Sequence, residues 1–245
     1  MDKILSKYLD ASPRDYYLKF HAPRYEILLN LFDQIYLDQK KILDIGRSKF
    51  AEILSEKYST PVDTLGLEYG ENLEKSAGGN YYQFNLNNCS DPDLLRKDLP
   101  RYDIIIFCEV LEHLHTSPSH VFTFLKTIME RGAVIILQTP NAVALGNRKK
   151  MLFGKNPFDL IREDETNPGH FREYTRQEII QYSEAVSLKI DRFFYGNYFD
   201  LRYAHHENGG GDIHPMKRLH YHIYNLVPDS LKIGMTFVLS RNATD

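Results

Sequence analysis

Five apolar runs of strand length punctuate the first 140 residues: Lys41–Ile45, Val62–Leu67, Tyr81–Phe84, Ile104–Cys108 and Val134–Leu137. Several are continuous rather than alternating, the pattern of strands covered on both faces of a parallel sheet. Helical signals lie between them. Ser117-Pro118 offers an N-cap and a proline at the first helical position, Val121, Phe122, Leu125 and Ile128 carry an apolar face, and Gly132 reads as the stop. Ser90-Asp91-Pro92 reads as the start of a shorter helix, and Thr175-Arg176-Gln177-Glu178 has capping-box spacing. The β-α-β-α order with right-handed crossovers gives a doubly wound α/β sheet with helices on both faces. Residues before Lys41, including the amphipathic stretch Tyr25–Tyr36, read as leading helices. Leu188–Tyr195 and Thr236–Leu239 supply two further strands, so the expectation is a mostly parallel, seven-stranded sheet.

At 245 residues this is expected to be one domain. Its parts are leading helices over 1–40, a core over 41–140, a lid-like region over 141–174 and a closing helix, strands and insertion over 175–245. No stretch approaches the roughly 18 consecutive apolar residues of a membrane span. The N-terminus lacks a signal-peptide apolar region, which makes a cytoplasmic location the expectation. The net charge of −3 gives no general footprint for nucleic acid, and "NRKK", Asn147–Lys150, reads as a solvated loop. Cys89 and Cys108 are expected to be free thiols rather than a disulfide.

The first run leads into "DIGRSKF", Asp44–Phe50, and then into a helical stretch. Ligands of open α/β sheets bind beyond the carboxyl ends of the strands, and a carboxylate about 20 residues past the first turn often takes ribose hydroxyls. Glu68, which ends "TLGLE", fits that place. Asn85, in "FNLNN", can accept from an adenine amino group while Leu86 borders the ring. The G-x-G-x-x-G of a dinucleotide loop is absent.

Taken in order, "ILDIGRSKF", "LGLE", "FNLNN" and "YDIIIFCEVLEHL" resemble the class I S-adenosylmethionine-dependent methyltransferases, and in particular their small-molecule and glycan branch. The resemblance implies S-adenosyl-L-methionine as cofactor, held by Asp44, Gly46, Ser48, Glu68, Asn85, Leu86 and Glu109. Ser48 and Phe50 stand where this family often has glycine. Without a phosphate to cradle, the amino-acid end of the cofactor needs only a tight turn, and Gly46 can supply it.

"CEVLEHLH" follows the fourth run, and the resemblance puts Glu109 beside the methionine part of the cofactor and near the methyl acceptor. His113 and His170 are candidate bases, and each also reads as a structural histidine. His170, after the Asn167-Pro168-Gly169 turn, could close over the site as part of a lid. Phe193, Phe194, Tyr195, Tyr198 and Phe199 read either as stacking groups or as packing. His205, His206, Glu207, Asp212, His214, His220 and His222 crowd one segment, yet without the ligand spacing of a familiar zinc site. No metal is therefore expected. The run 153–175 resembles the matching region of methyltransferases found with glycan-assembly enzymes. That makes O-methylation of a sugar, or another small polar metabolite, the expected activity. A non-catalytic cofactor-binding protein and an N- or C-methyltransferase are the alternatives.

Overall fold

The computed structural model describes the chain apart from residues 36–39, 47, 68–77, 159, 164–168, 204–221 and 242–245. Two helices lead, α1 (Lys3–Ala11) and α2 (Tyr16–Ile35). There follow β1 (Ile42–Ile45), α3 (Lys49–Tyr58), β2 (Val62–Gly66), β3 (Gly78–Gln83), β4 (Tyr102–Cys108), α4 (Pro118–Thr127) and β5 (Met129–Pro140). The chain continues through α5 (Leu145–Leu152), α6 (Arg176–Ala185), β6 (Leu188–Gly196) and β7 (Gly234–Arg241). The seven strands form one sheet in the order β3-β2-β1-β4-β5-β7-β6. β1 to β5 pair in parallel, whereas β7 runs antiparallel between β5 and β6.

Each face of the sheet carries its own apolar core. Leu5, Tyr25, Leu28, Phe32, Phe50 and Ile53 bury the face under α1, α2 and α3. On the other side Leu43, Ile105, Phe107, Phe122, Leu125 and Ile179 pack with α4 and α6. This is why the central strands read as unbroken apolar runs. No helix among the described residues is long and apolar enough to cross a membrane.

The winding reverses between β1 and β4, which pair directly, with Asp44 beside Ile106 and Ile45 beside Phe107. A crevice opens at the carboxyl ends of adjacent strands where such a reversal occurs, and the loops leaving β1 and β4 face it.

Several local expectations change. α4 begins as expected, with Ser117 Oγ accepting from the Ser119 amide, but it ends at Thr127. Ile128 already serves the sheet through its carbonyl, which accepts from Tyr102 at 2.8 Å. Gly132, with φ +79°, therefore sits inside β5, where the pairing with β4 shifts register. Ser90-Asp91-Pro92 starts no helix. Asp91 turns the chain instead: its carboxylate accepts from the Asp93 amide at 3.0 Å and its carbonyl from Leu94 at 3.1 Å. A short 3-10 turn, Leu86–Ser90, precedes it. β3 begins at Gly78 rather than Tyr81. Asn147–Lys150, read as loop, lies on α5, where Lys149 and Lys150 suit the negative end of the helix dipole. The capping box at Thr175 and Glu178 forms fully.

Candidate active site

The loop after β1 turns on Gly46, whose φ is +95°. A Cβ there would lie 2.7 Å from Val110 Cγ2, so a side chain is excluded both by backbone conformation and by the turn that follows β4. The absent second and third glycines are explained by where their replacements point. Ser48 donates its amide (2.8 Å) and its hydroxyl (3.0 Å) to Asp44 Oδ2, locking the turn. Phe50 is fully buried, its ring 5.5 Å from Tyr25 and 6.1 Å from Phe32. Its bulk goes into the packing beneath α2.

Asp44 itself is 1% exposed, and burial pushes its carboxyl up to about 6 against the opposing effect of the Ser48 bonds and the Arg24 charge. The folded chain thus holds this proton more tightly than the ordinary value of 3.8 implies. The associated stabilisation is complete below about pH 4 and is lost as pH rises through about 6, a span worth about 3 kcal/mol. Urea denaturation of the ligand-free chain should show stability falling across this window. Asp44→Asn should flatten that part of the profile, and an unchanged slope would remove Asp44 as its source.

Arg24 is the principal residue that the sequence reading misses. It sits on α2, is 2% exposed, and its Nε has no partner among the described residues. Pro23 interrupts the helix ladder beside it, and the Arg24 amide donates to the Tyr198 carbonyl at 3.1 Å. Its charge acts on both Asp44 and Glu109. Glu109 leaves β4 at φ +56°, a conformation a glutamate rarely adopts. Its Oε1 is shielded from solvent and also unpartnered among the described residues, and burial raises its pKa. A buried guanidinium between two carboxylates fits a zwitterionic amino acid, whose carboxylate and ammonium would use these unspent groups. The amino-acid end of S-adenosylmethionine is such a zwitterion.

Asn85 caps the 3-10 turn, its Oδ1 accepting from the Asn87 amide at 3.0 Å. Leu86 is 4% exposed and belongs to the core. Asn87 Oδ1 accepts from the amides of His115 (2.8 Å) and Thr116 (3.2 Å), tying the turn to the loop after β4. Glu68 lies outside the described residues, as do Asn167, Pro168 and His205, His206, Glu207, Asp212, His214 and His220.

His113 and His170, 57 positions apart in the chain, meet with ring centroids 4.8 Å apart at 82°. His113 Nδ1 donates to the Gly169 carbonyl at 2.8 Å, which fixes the tautomer and leaves the Nε2 lone pair available. Burial lowers its pKa, so the neutral ring prevails. His170 Nδ1 stands 3.1 Å from Glu173 Oε1. The end of the 141–174 region that carries His170 is fastened: the Glu112 carbonyl accepts from the amides of Phe171 (2.8 Å) and Arg172 (3.3 Å), and Tyr174 receives the Ala142 amide at 3.0 Å. Glu112 is fully buried, with Oε2 accepting from Thr139 Oγ1 at 3.2 Å. Burial, and then the charge of Glu109, raise its pKa well above the carboxylate range.

The aromatic cluster divides. Phe193 packs edge-on against Tyr195 and tilts against Phe237 in the sheet, whereas Phe199 stacks on Phe20 of α2 at 4.7 Å. Tyr198 is fully buried, its hydroxyl bonded to Thr236.

A family model described as a methyltransferase domain matches residues 19–192. A ubiquinone biosynthesis O-methyltransferase of Coxiella burnetii is 26% identical over 163 residues, which span 64% of this chain and 67% of the relative. The crystal structure of an S-adenosylmethionine-dependent methyltransferase from Clostridium acetobutylicum aligns with a TM-score of 0.56 at 11% identity, over 97% of this chain and 99% of its own. Another from Archaeoglobus fulgidus gives 0.55 at 14% identity, over 92% and 100%. Identities this low speak to the fold, and the match over residues 19–192 speaks to the kind of enzyme. This chain belongs to the methyltransferase-domain family and is a class I S-adenosylmethionine-dependent methyltransferase.

Proposed function

We propose that the enzyme methylates a hydroxyl oxygen of a small polar acceptor, a sugar or glycan precursor, in the cytoplasm. The observation that carries the reading is the pair of imidazoles at the carboxyl end of β4, each with Nδ1 already engaged, so that the neutral ring leaves Nε2 as an acceptor. An acceptor hydroxyl donates its one hydrogen to one such lone pair, that imidazole takes the proton as the methyl group is transferred, and Glu109, with an unpartnered oxygen on the same turn, receives it from the ring. Arg24, Asp44 and the Gly46 turn hold the amino-acid end of the cofactor. Glu68 takes the ribose hydroxyls, and Asn85 and Leu86 border the adenine. When bound, the cofactor supplies a methyl group on a sulfonium. The chain's task is to hold the acceptor oxygen in line with that methyl group and to remove its proton.

The likeness of the run 153–175 to methyltransferases of glycan assembly favours a sugar. The relative acting in ubiquinone biosynthesis favours a phenolic hydroxyl as the second reading. Labelled cofactor offered with sugars, nucleotide-linked sugars, catechols and amines decides between them. Label recovered as a sugar methyl ether is the expected result. Transfer to catechols alone would move the acceptor to the second reading, and transfer only to nitrogen or carbon would end the O-methylation reading.

A further inference from the structure

We infer that Glu112, His113 and His170 form a binding site for a divalent transition-metal ion on the acceptor side of the crevice. One carboxylate oxygen of Glu112 and one ring nitrogen from each histidine lie within 4.8 Å of one another. Two ligands on one ion, bonded at about 2.1 Å, stand about 3–4 Å apart, so side-chain rotations alone can close the set.

Two further observations point to a ligand. Glu112 is 0% exposed, and its Oε1 has no hydrogen-bond partner among the described residues. An atom left in that state has lost its water without gaining a partner, a cost that grows when it is charged. Both rings are also aimed from behind. His113 Nδ1–H donates to the Gly169 carbonyl, and His170 Nδ1–H to Glu173, whose other oxygen accepts from Asn147 Nδ2 at 2.9 Å. Metal-binding histidines are held in this way, by a carbonyl or carboxylate on the far nitrogen.

The arrangement has a consequence for Glu112. The neutral His113 ring, its Nδ1 hydrogen given to the Gly169 carbonyl, offers only an acceptor at Nε2, so it cannot donate to the Glu112 carboxylate.

Two imidazoles and a carboxylate suit Mn²⁺, Fe²⁺ or Zn²⁺ better than Ca²⁺, which prefers oxygen ligands throughout. Three protein ligands leave positions open, as catalytic rather than structural sites do. With the ion bound, both Nε2 lone pairs are spent on it, so the acceptor oxygen would take an open position on the ion in place of the direct imidazole contact and would lose its proton to Glu109 more readily. That role rests on the O-methylation reading, whereas ion binding does not. The metal-free turnover expected from the sequence rests on ligand spacing within 205–222 and does not bear on this discontinuous set.

The test is titration of the full chain with Mn²⁺, followed by electron paramagnetic resonance, with neither cofactor nor acceptor present. One bound ion per chain is expected. Glu112→Gln and His170→Ala should each weaken uptake at least tenfold. Because the His170 side chain is 35% exposed, its truncation tests the site even if Glu112→Gln misfolds. Glu173→Gln, acting only through His170, should weaken uptake less, with a shifted pH profile. No uptake by the parent chain, or uptake unchanged in both ligand variants, would overturn the site. Mn²⁺ uptake without methyl transfer to any hydroxyl would retire the O-methylation reading and leave the ion site standing. Hydroxyl methylation that persists in chelator, with no uptake, would do the reverse.

Discussion

Arg24→Met is expected to weaken S-adenosylhomocysteine binding by about 10- to 100-fold, because a charge-assisted hydrogen bond to a carboxylate is worth about 1.5–3 kcal/mol. Methionine keeps most of the buried volume and removes only the charge and the donors. The same substitution leaves Asp44 and Glu109 without the cation that now opposes the effect of their burial. Both carboxyls should then titrate higher, and cofactor binding should recover less as pH rises. Arg24→Lys should rescue part of the affinity, since the charge returns without the planar fork. Calorimetry with S-adenosylhomocysteine and thermal melts separate the two effects. A methionine variant that binds at the parent dissociation constant would remove Arg24 from the cofactor site and leave it a structural cation under α2.

That this residue escapes a sequence reading has a physical cause. An arginine on an amphipathic helix ordinarily lays its stem on the protein and keeps its head in water. Only the docking of α2 over the carboxyl ends of β1 and β4 turns Arg24 inward, and docking geometry is not written in the periodicity of one helix. The strands were the opposite case. Ile104–Cys108 and Lys41–Ile45 are legible because burial on both faces demands unbroken apolar runs, and their order fixes where the crevice opens.

Glycine and proline were legible in kind but not always in consequence. Gly46 and Gly132 both need positive φ, yet one forms the cofactor turn and the other a bulge in β5. The helix expected after Pro92 fails because Asp91 offers the backbone a competing turn and no apolar face follows to reward a helix. Ser48 and Phe50 stand where the family often has glycine. They cost nothing, because one side chain bonds Asp44 and the other fills the core.

The convergence of His113 and His170 was legible as an expectation because each lies at the edge of a turn next to the crevice. Separating a chemical role from a structural one requires variants that keep the Nδ1 bond. Asparagine does so in part, since its amide nitrogen falls near the Nδ1 position and can still donate to the Gly169 carbonyl or to Glu173, while the Nε2 lone pair is lost. His113→Asn is therefore expected to lower the single-turnover rate of methyl transfer by about 10²–10⁴-fold, the usual worth of a group that manages the acceptor proton, with cofactor affinity and melting temperature nearly unchanged. His170→Asn should follow in the same direction. Because the two rings meet at 4.8 Å, their losses should not add: the double variant should fall little below the slower single one. A histidine that merely ties the 141–174 region to β4 behaves differently. His113→Asn, retaining that tie, would then transfer methyl groups at the parent rate, while His113→Ala would lose stability and affinity together. Parent rates in both asparagine variants would leave Glu109 as the group that receives the acceptor proton without imidazole help.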